Sequence, residues 1–241
     1  VRAQCLAASM AEGKLITWLS DDGIYVPHGL DVAIDRFYMM EENKKNTVVY
    51  KYAEGEKAYT EEYFKINFHR GANEEGIGSE HIPDNYYLLN NPIMYRDYYY
   101  ELGGLDCSYE CTAMALADFA IRAQYDGAIV EFLERIPILM CTQDAAHQGN
   151  HSLVANAQTQ HDEPLYDSIY KQADWREKVQ IRLDYRTEWT KSPSLWPRKY
   201  SPVIEEKERR GYTYAYSQLD PRHVAAWATH NADLIHQMAA K

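Results

Sequence analysis

Apolar residues recur along this chain with two periods, and the alternation between helical and extended spacing sketches an α/β fold. Residues 2–12, rich in Ala, Leu and Met, predict a helix that Gly13 stops. The run from Lys14 to Leu19 (KLITWL) follows as a strand and meets the turn cluster Ser20-Asp21-Asp22-Gly23. After Pro27, the residues Leu30, Ile34, Phe37 and Tyr38 have helical spacing, and residues 47–52 then read as a strand, the pattern of a crossover unit. Residues 63–68 predict another strand leading into a Gly- and Glu-rich loop over 71–85, and residues 92–95 a further short strand. A helix over 112–125 ends at Gly127, with strands over 128–132 and 136–141 after it. Residues 151–170 read as largely helical, interrupted near Pro164. Beyond them, residues 175–216 mix Pro, Trp, Tyr and charges without a clear period, whereas Val224, Trp227, Leu234 and Met238 line one face of a terminal helix. The chain therefore divides into a core, residues 1–174, and a mainly helical extension, residues 175–241.

Length and composition fit that division. A chain of 241 residues, 46% hydrophobic, can bury one substantial core. The net charge of -11 argues against a nucleic-acid partner, because phosphate backbones are bound by clustered Lys and Arg. Residues 175–241 hold 12 Lys and Arg against 8 Asp and Glu, which leaves -15 on residues 1–174. Twenty-one tyrosines against five phenylalanines suit half-wet grooves and sugar-contacting walls as well as interfaces. Cys5, Cys107, Cys111 and Cys141 are too scattered for a disulfide framework and predict reduced thiols and a cytoplasmic location. No apolar run approaches the roughly 20 residues of a membrane span, and no signal peptide precedes Lys14. The opening Val1-Arg2-Ala3-Gln4 lacks an initiator Met, so a preceding segment is expected.

Three clusters carry candidate chemistry. Asp21 and Asp22 end a predicted buried strand, and the carboxyl ends of strands in open α/β sheets are where ligand crevices lie. Paired carboxylates there can hold Mg²⁺ or Mn²⁺ against diphosphate oxygens, or simply form a turn with a helix cap. The segment Glu101-Leu102-Gly103-Gly104-Leu105-Asp106 is the second cluster, followed by Asp118 and Arg122 on one helix face. Two glycines permit close approach of backbone to a ligand, and the acids nearby can position or deprotonate an acceptor hydroxyl. Asp118 and Arg122 also have the spacing of a plain i,i+4 ion pair. The third cluster is His147-Gln148-Gly149-Asn150-His151 followed by His161-Asp162-Glu163-Pro164-Leu165-Tyr166-Asp167. Its histidines can complete a carboxylate metal site or bind zinc, and its polar residues can equally cap a helix.

Taken in order, the clusters resemble family 2 glycosyltransferases of the GT-A type over roughly residues 1–170: strand-Ser-Asp-Asp, Pro-x-Gly-Leu-Asp, Gly-Gly-Leu-Asp leading to Asp-x-x-x-Arg, then a loop His before Asp-x-Pro-Leu-Tyr. The resemblance implies a Rossmann-related mixed sheet flanked by helices. It assigns Asp21, Asp22 and His151 to a Mn²⁺ or Mg²⁺ ion, with His147 the fallback, and Gly103, Gly104, Asp106 and Arg122 to substrate. The partners it implies are a nucleotide-sugar donor and a glycan or other hydroxyl acceptor. This sequence departs from the family pattern in three respects. Leu19 stands where the first acid of Asp-x-Asp belongs, and Met114 and Ala115 where a Glu-Asp pair supplies the base, so Glu110 or Asp118 must substitute. The strand, helix and strand that grip the nucleotide base would lie before Val1.

The reaction implied is an inverting transfer in which the metal offsets charge on the departing diphosphate and a carboxylate deprotonates the acceptor. One alternative is a degenerate binding module with a sugar pocket and no chemistry. Another is a metal-dependent hydrolase built on His147, His151, His161 and Asp162. The transfer reading requires the aspartate pair, the glycine pair and the histidine loop to share one cleft.

Overall fold

In the computed structural model the chain is described over residues 1–19, 23–25, 27–54, 86–89, 91–141 and 156–184. Helix α1 (Arg2–Met10) leads into β1 (Leu15–Ile16), and β2 (Gly23–Tyr25) precedes α2 (Gly29–Met39) and β3 (Asn46–Glu54). Strand β4 (Pro92–Tyr95) runs directly into α3 (Arg96–Glu101), which is followed by α4 (Thr112–Tyr125) and β5 (Ile129–Cys141). A π-helical turn at Gln158–Asp162 opens α5 (Glu163–Tyr170), and α6 (Trp175–Asp184) follows.

The five strands form one sheet in the order β1-β4-β3-β5-β2. β3 and β5 are parallel, whereas β4 is antiparallel to both β1 and β3, and β2 is antiparallel to β5. β1, β3 and β5 consequently run the same way, and their carboxyl ends share one edge of the sheet. The two-residue period of strands sorts the side chains between faces. Val48 and Tyr50 of β3 and Ile93 of β4 pack with Ala33 and Phe37 of α2 on one side. Val49 and Met94 face the other side, where they join Cys5 and Ala8 of α1, Tyr98 and Tyr99 of α3, Phe119 of α4 and Trp175 of α6. The result is a mixed α/β architecture, a sheet with helices on both faces and further helix toward the C-terminal part.

Several expectations change in detail. The two strands expected over 128–132 and 136–141 are one strand, β5, whose pairing with β3 slips: Tyr50 faces Leu133 and the next residue, Lys51, faces Pro137. A proline has no N–H to give the ladder, so the chain bulges rather than ends there. β2 and α3 are additional elements. α6 occupies a stretch that shows no clear period as sequence, yet Trp175, Val179 and Leu183, four residues apart, are buried in the main core. Among the described residues, several tyrosines serve as core: Tyr50, Tyr98, Tyr99, Tyr109 and Tyr170 are among the largest fully buried side chains. The expected strand over 63–68, the loop over 71–85 and the terminal helix lie outside the described residues. Among the described residues, no helix is long and apolar enough to cross a membrane.

Candidate functional site

The second cluster folds into a buried ionic network. Asp118 and Arg122, one turn apart on α4, are both fully buried, and the Arg122 Nε donates to Asp118 Oδ2 at 2.8 Å. The rest of the guanidinium donates to the carbonyl oxygens of Leu102 and, at 2.7 Å, Gly104. The other oxygen of Asp118 accepts from Arg182 of α6 at 2.7 Å and from the Tyr170 hydroxyl of α5 at 2.8 Å. Arg182 also reaches Asp106 Oδ2 at 2.8 Å, and Asp106 Oδ1 accepts the Ser108 amide at 2.8 Å. Burial by itself would raise the Asp118 carboxyl; the opposing arginines Arg122 and Arg182, with the Tyr170 hydroxyl, outweigh it and hold the group below the usual carboxylate range. A carboxylate so placed is charged, surrounded by donors and shut away from solvent. The i,i+4 pairing is therefore present, and it is extended by a third helix.

The glycine pair is accounted for by the chain reversal after α3. The Gly104 amide donates to Tyr99 O and the Gly103 amide to Tyr100 O, both at 2.9 Å, which is the double closure of a Schellman stop. Gly103 and Gly104 have φ of 88° and 74°, left-handed values that side chains with a Cβ resist. Arg122 then binds the carbonyls this turn leaves over, so the Gly-Gly-Leu-Asp segment and the Asp-x-x-x-Arg helix are one folded unit.

Glu110, the other base candidate, precedes α4 and is ion-paired with Arg2 of α1, its side chain 3% exposed. Its own amide and that of Cys111 donate to the carboxylate of Asp162, at 2.9 and 2.7 Å. Asp162 is fully buried and caps the amino end of α4 from the π-helical turn, while His161 Nδ1 lies 2.7 Å from its Oδ1. Sequence reasoning placed Asp162 in a metal-ligating cluster or a local cap; it caps a different helix, 51 residues away in the chain. Burial and the Asp162 hydrogen bond push the neighbouring Cys111 thiol up to about 12, and burial does the same to Cys5.

An open cleft of about 370 Å³ lies beside this unit, at the carboxyl end of β1. The small side chains of α1, Ala7 and Ala8 among them, form one wall with Ala11 just beyond the helix; Trp18, Leu19 and Leu105 complete it. Trp18 packs its ring on Tyr99 at 5.9 Å and, edge-on, on Phe119 at 5.7 Å. The Leu105 amide donates to the Tyr99 hydroxyl at 3.2 Å, which ties the residue after the glycine pair to the same wall. The indole Nε1 of Trp18 and the amide Oε1 of Gln4, both cleft-lining residues, are buried without a hydrogen-bond partner. What sequence reasoning missed is α1 as a wall of the cleft, since Gln4 and the alanines of that helix belong to no recognisable motif.

The structure thus brings Gly103, Gly104, Asp106, Asp118 and Arg122 together, and sets the chain leading to Asp21 and Asp22 against Leu105 across the cleft. Asp21, Asp22, His147 and His151 themselves lie outside the described residues. Among the described residues, no group of three or more His, Cys, Asp or Glu is placed to hold a metal ion. Compared with protein-family models, curated proteins and solved structures, the chain finds no match.

Proposed function

We propose that this chain is a metal-dependent glycosyltransferase of the GT-A type, moving a sugar from a nucleotide-sugar donor to a hydroxyl acceptor with inversion. The observation that carries the reading is the cleft at the carboxyl end of β1, where the residues before the aspartate pair meet the residue after the glycine pair. That is the edge where α/β sheets bind ligands. Two carboxylates and an imidazole, Asp21, Asp22 and His151, make a donor set suited to a hard divalent cation such as Mn²⁺ or Mg²⁺, which when bound supplies charge neutralisation at the leaving diphosphate.

The chain's own residues divide the remaining work. Asp118, held charged by two arginines and a tyrosine, is better suited to position the Gly-Gly-Leu-Asp turn than to exchange protons with an acceptor. Glu110 is the remaining base candidate: its partner Arg2, whose side chain is 23% exposed, belongs to α1, the helix that also walls the cleft. Base assistance contributes on the order of a hundredfold to ten-thousandfold in rate. A degenerate sugar-binding module is the second reading. It is favoured by Met114 and Ala115 in the buried face of α4 where a proton acceptor is expected.

The test is a thermal-shift screen of UDP-, GDP- and CMP-sugars with and without Mn²⁺, followed by a transfer assay on any donor that stabilises the fold. Turnover that disappears in Asp22→Ala and falls at least a hundredfold in Glu110→Gln supports transfer. Stabilisation without turnover supports the module. Undiminished transfer by both variants sinks the site assignment.

A further inference from the structure

We propose that Arg182 is a positioning residue of the candidate site: from α6 it fixes the Gly-Gly-Leu-Asp turn that contributes Leu105 to the cleft, so the start of the C-terminal extension belongs to the site. The inference rests on the transferase reading only in taking the cleft as the place where substrate binds. Arg182 Nη2 lies 2.8 Å from Asp106 Oδ2 and 2.7 Å from Asp118 Oδ1, so one cationic group joins the turn to α4. Both carboxylates are buried. Two carboxylates that approach the same atom repel each other, and in a weakly polarising interior that repulsion is met by a cation standing between them. Arg182 supplies that cation from 76 and 64 positions further along the chain.

The grip on Asp106 reaches the cleft through the backbone. Asp106 Oδ1 accepts the Ser108 amide at 2.8 Å, so the carboxylate held by Arg182 also shapes the chain beyond the turn. Immediately before it, Leu105 lines the cleft; its amide donates to the Tyr99 hydroxyl at 3.2 Å and its carbonyl accepts from the Cys5 thiol at 3.5 Å. Leu105 is thereby tied to α3 and α1, and its neighbour Asp106 to α6. Arg122 plays a different part: it lies on the same helix as Asp118 and binds the Leu102 and Gly104 carbonyls without help from α6. Its side chain is fully buried, whereas that of Arg182 is 19% exposed, so the network meets solvent at the residue that α6 contributes.

The test compares Arg182→Met, Arg182→Lys, and Arg182→Met combined with Asp106→Asn, the last removing a stranded charge in case the first fails to fold. Because the bonds to Asp106 and Asp118 come from one nitrogen, an ammonium can reproduce them and a thioether cannot. Amide hydrogen exchange, read by mass spectrometry on the full chain, should accelerate over residues 103–108 in Arg182→Met by roughly tenfold beyond any change in β3. Arg182→Lys should restore most of that protection. On any donor found by the nucleotide-sugar screen, Arg182→Met should raise KM roughly tenfold with kcat within about threefold of the parent's, as expected when binding alone is impaired. Equal acceleration in the turn and in β3, an unchanged turn, a Lys variant no better than Met, a fall in kcat at constant KM, or failure of both Met variants to fold would each overturn the proposal. If no donor is found and no turnover occurs, the transferase reading fails, and the exchange pattern still decides whether Arg182 sets the turn.

Discussion

Replacing Asp118 by alanine separates a structural carboxylate from a catalytic one. The substitution leaves Arg122 fully buried without its carboxylate, and takes from Arg182 and Tyr170 a partner at 2.7 and 2.8 Å. Breaking a buried ion pair from one side costs about 3–5 kcal/mol, because a charge is stranded in a poorly polarisable interior. For a chain of this length each kcal/mol corresponds to a fall of about 2–4 °C in Tm, so Asp118→Ala should unfold about 6–20 °C lower. Thermal and urea unfolding followed by circular dichroism measure this directly. The paired variant Asp118→Leu with Arg122→Met, which strands no charge on α4, should lose much less than the single one.

The sign of the pH dependence is also fixed. Because the folded carboxyl titrates below its unfolded value of about 3.9, its stabilising contribution is complete above that range and disappears as pH falls through the folded pKa. The gap between parent and variant should therefore narrow in strong acid. A single variant that melts within 2 °C of the parent (roughly 1 kcal/mol or less) while losing transfer would refute the structural assignment and restore Asp118 as base.

Three further outcomes follow from the same contacts. Gly103→Ala places a Cβ on a residue with φ of 88° and should cost about 1–2 kcal/mol in urea unfolding, whereas Gly13→Ala, with no positive φ, should cost less. Asp162→Ala removes the cap that receives the Glu110 and Cys111 amides and should destabilise by about 1–2 kcal/mol, with Asp162→Asn recovering part of it; equal losses in both would show that the cap is not the cause. Cys5 and Cys111, buried with thiols pushed up to about 12, should react with an aromatic disulfide reagent at pH 8 far more slowly in the folded chain than in urea, and fast labelling of the native protein would contradict their placement.

Local pattern was enough to determine the frame of this protein. The alternation Val48-Val49-Tyr50 marks a strand buried on both faces, the apolar run from Thr112 to Tyr125 marks α4, and Gly13 and Gly127 stand just past helix ends. Each depends on residues a few positions apart, whose spacing on a helix or strand is set by backbone geometry. The Asp118–Arg122 pair was legible for the same reason, being one helical turn in extent.

Long-range partnership was decided only in the tertiary structure. Asp118 meets an arginine 64 residues later, and Asp162 caps a helix beginning 50 positions earlier, so no sequence spacing distinguishes either from an ordinary surface acid. The slip in β5 at Pro137 appears only against the register of β3, and α6 is a helix because Trp175, Val179 and Leu183 find a core to enter rather than because its own sequence is strongly amphipathic. The cleft arises in the same way, because Gln4, Trp18 and Leu105, far apart in the chain, line one space only once α1, β1 and the glycine turn have packed together.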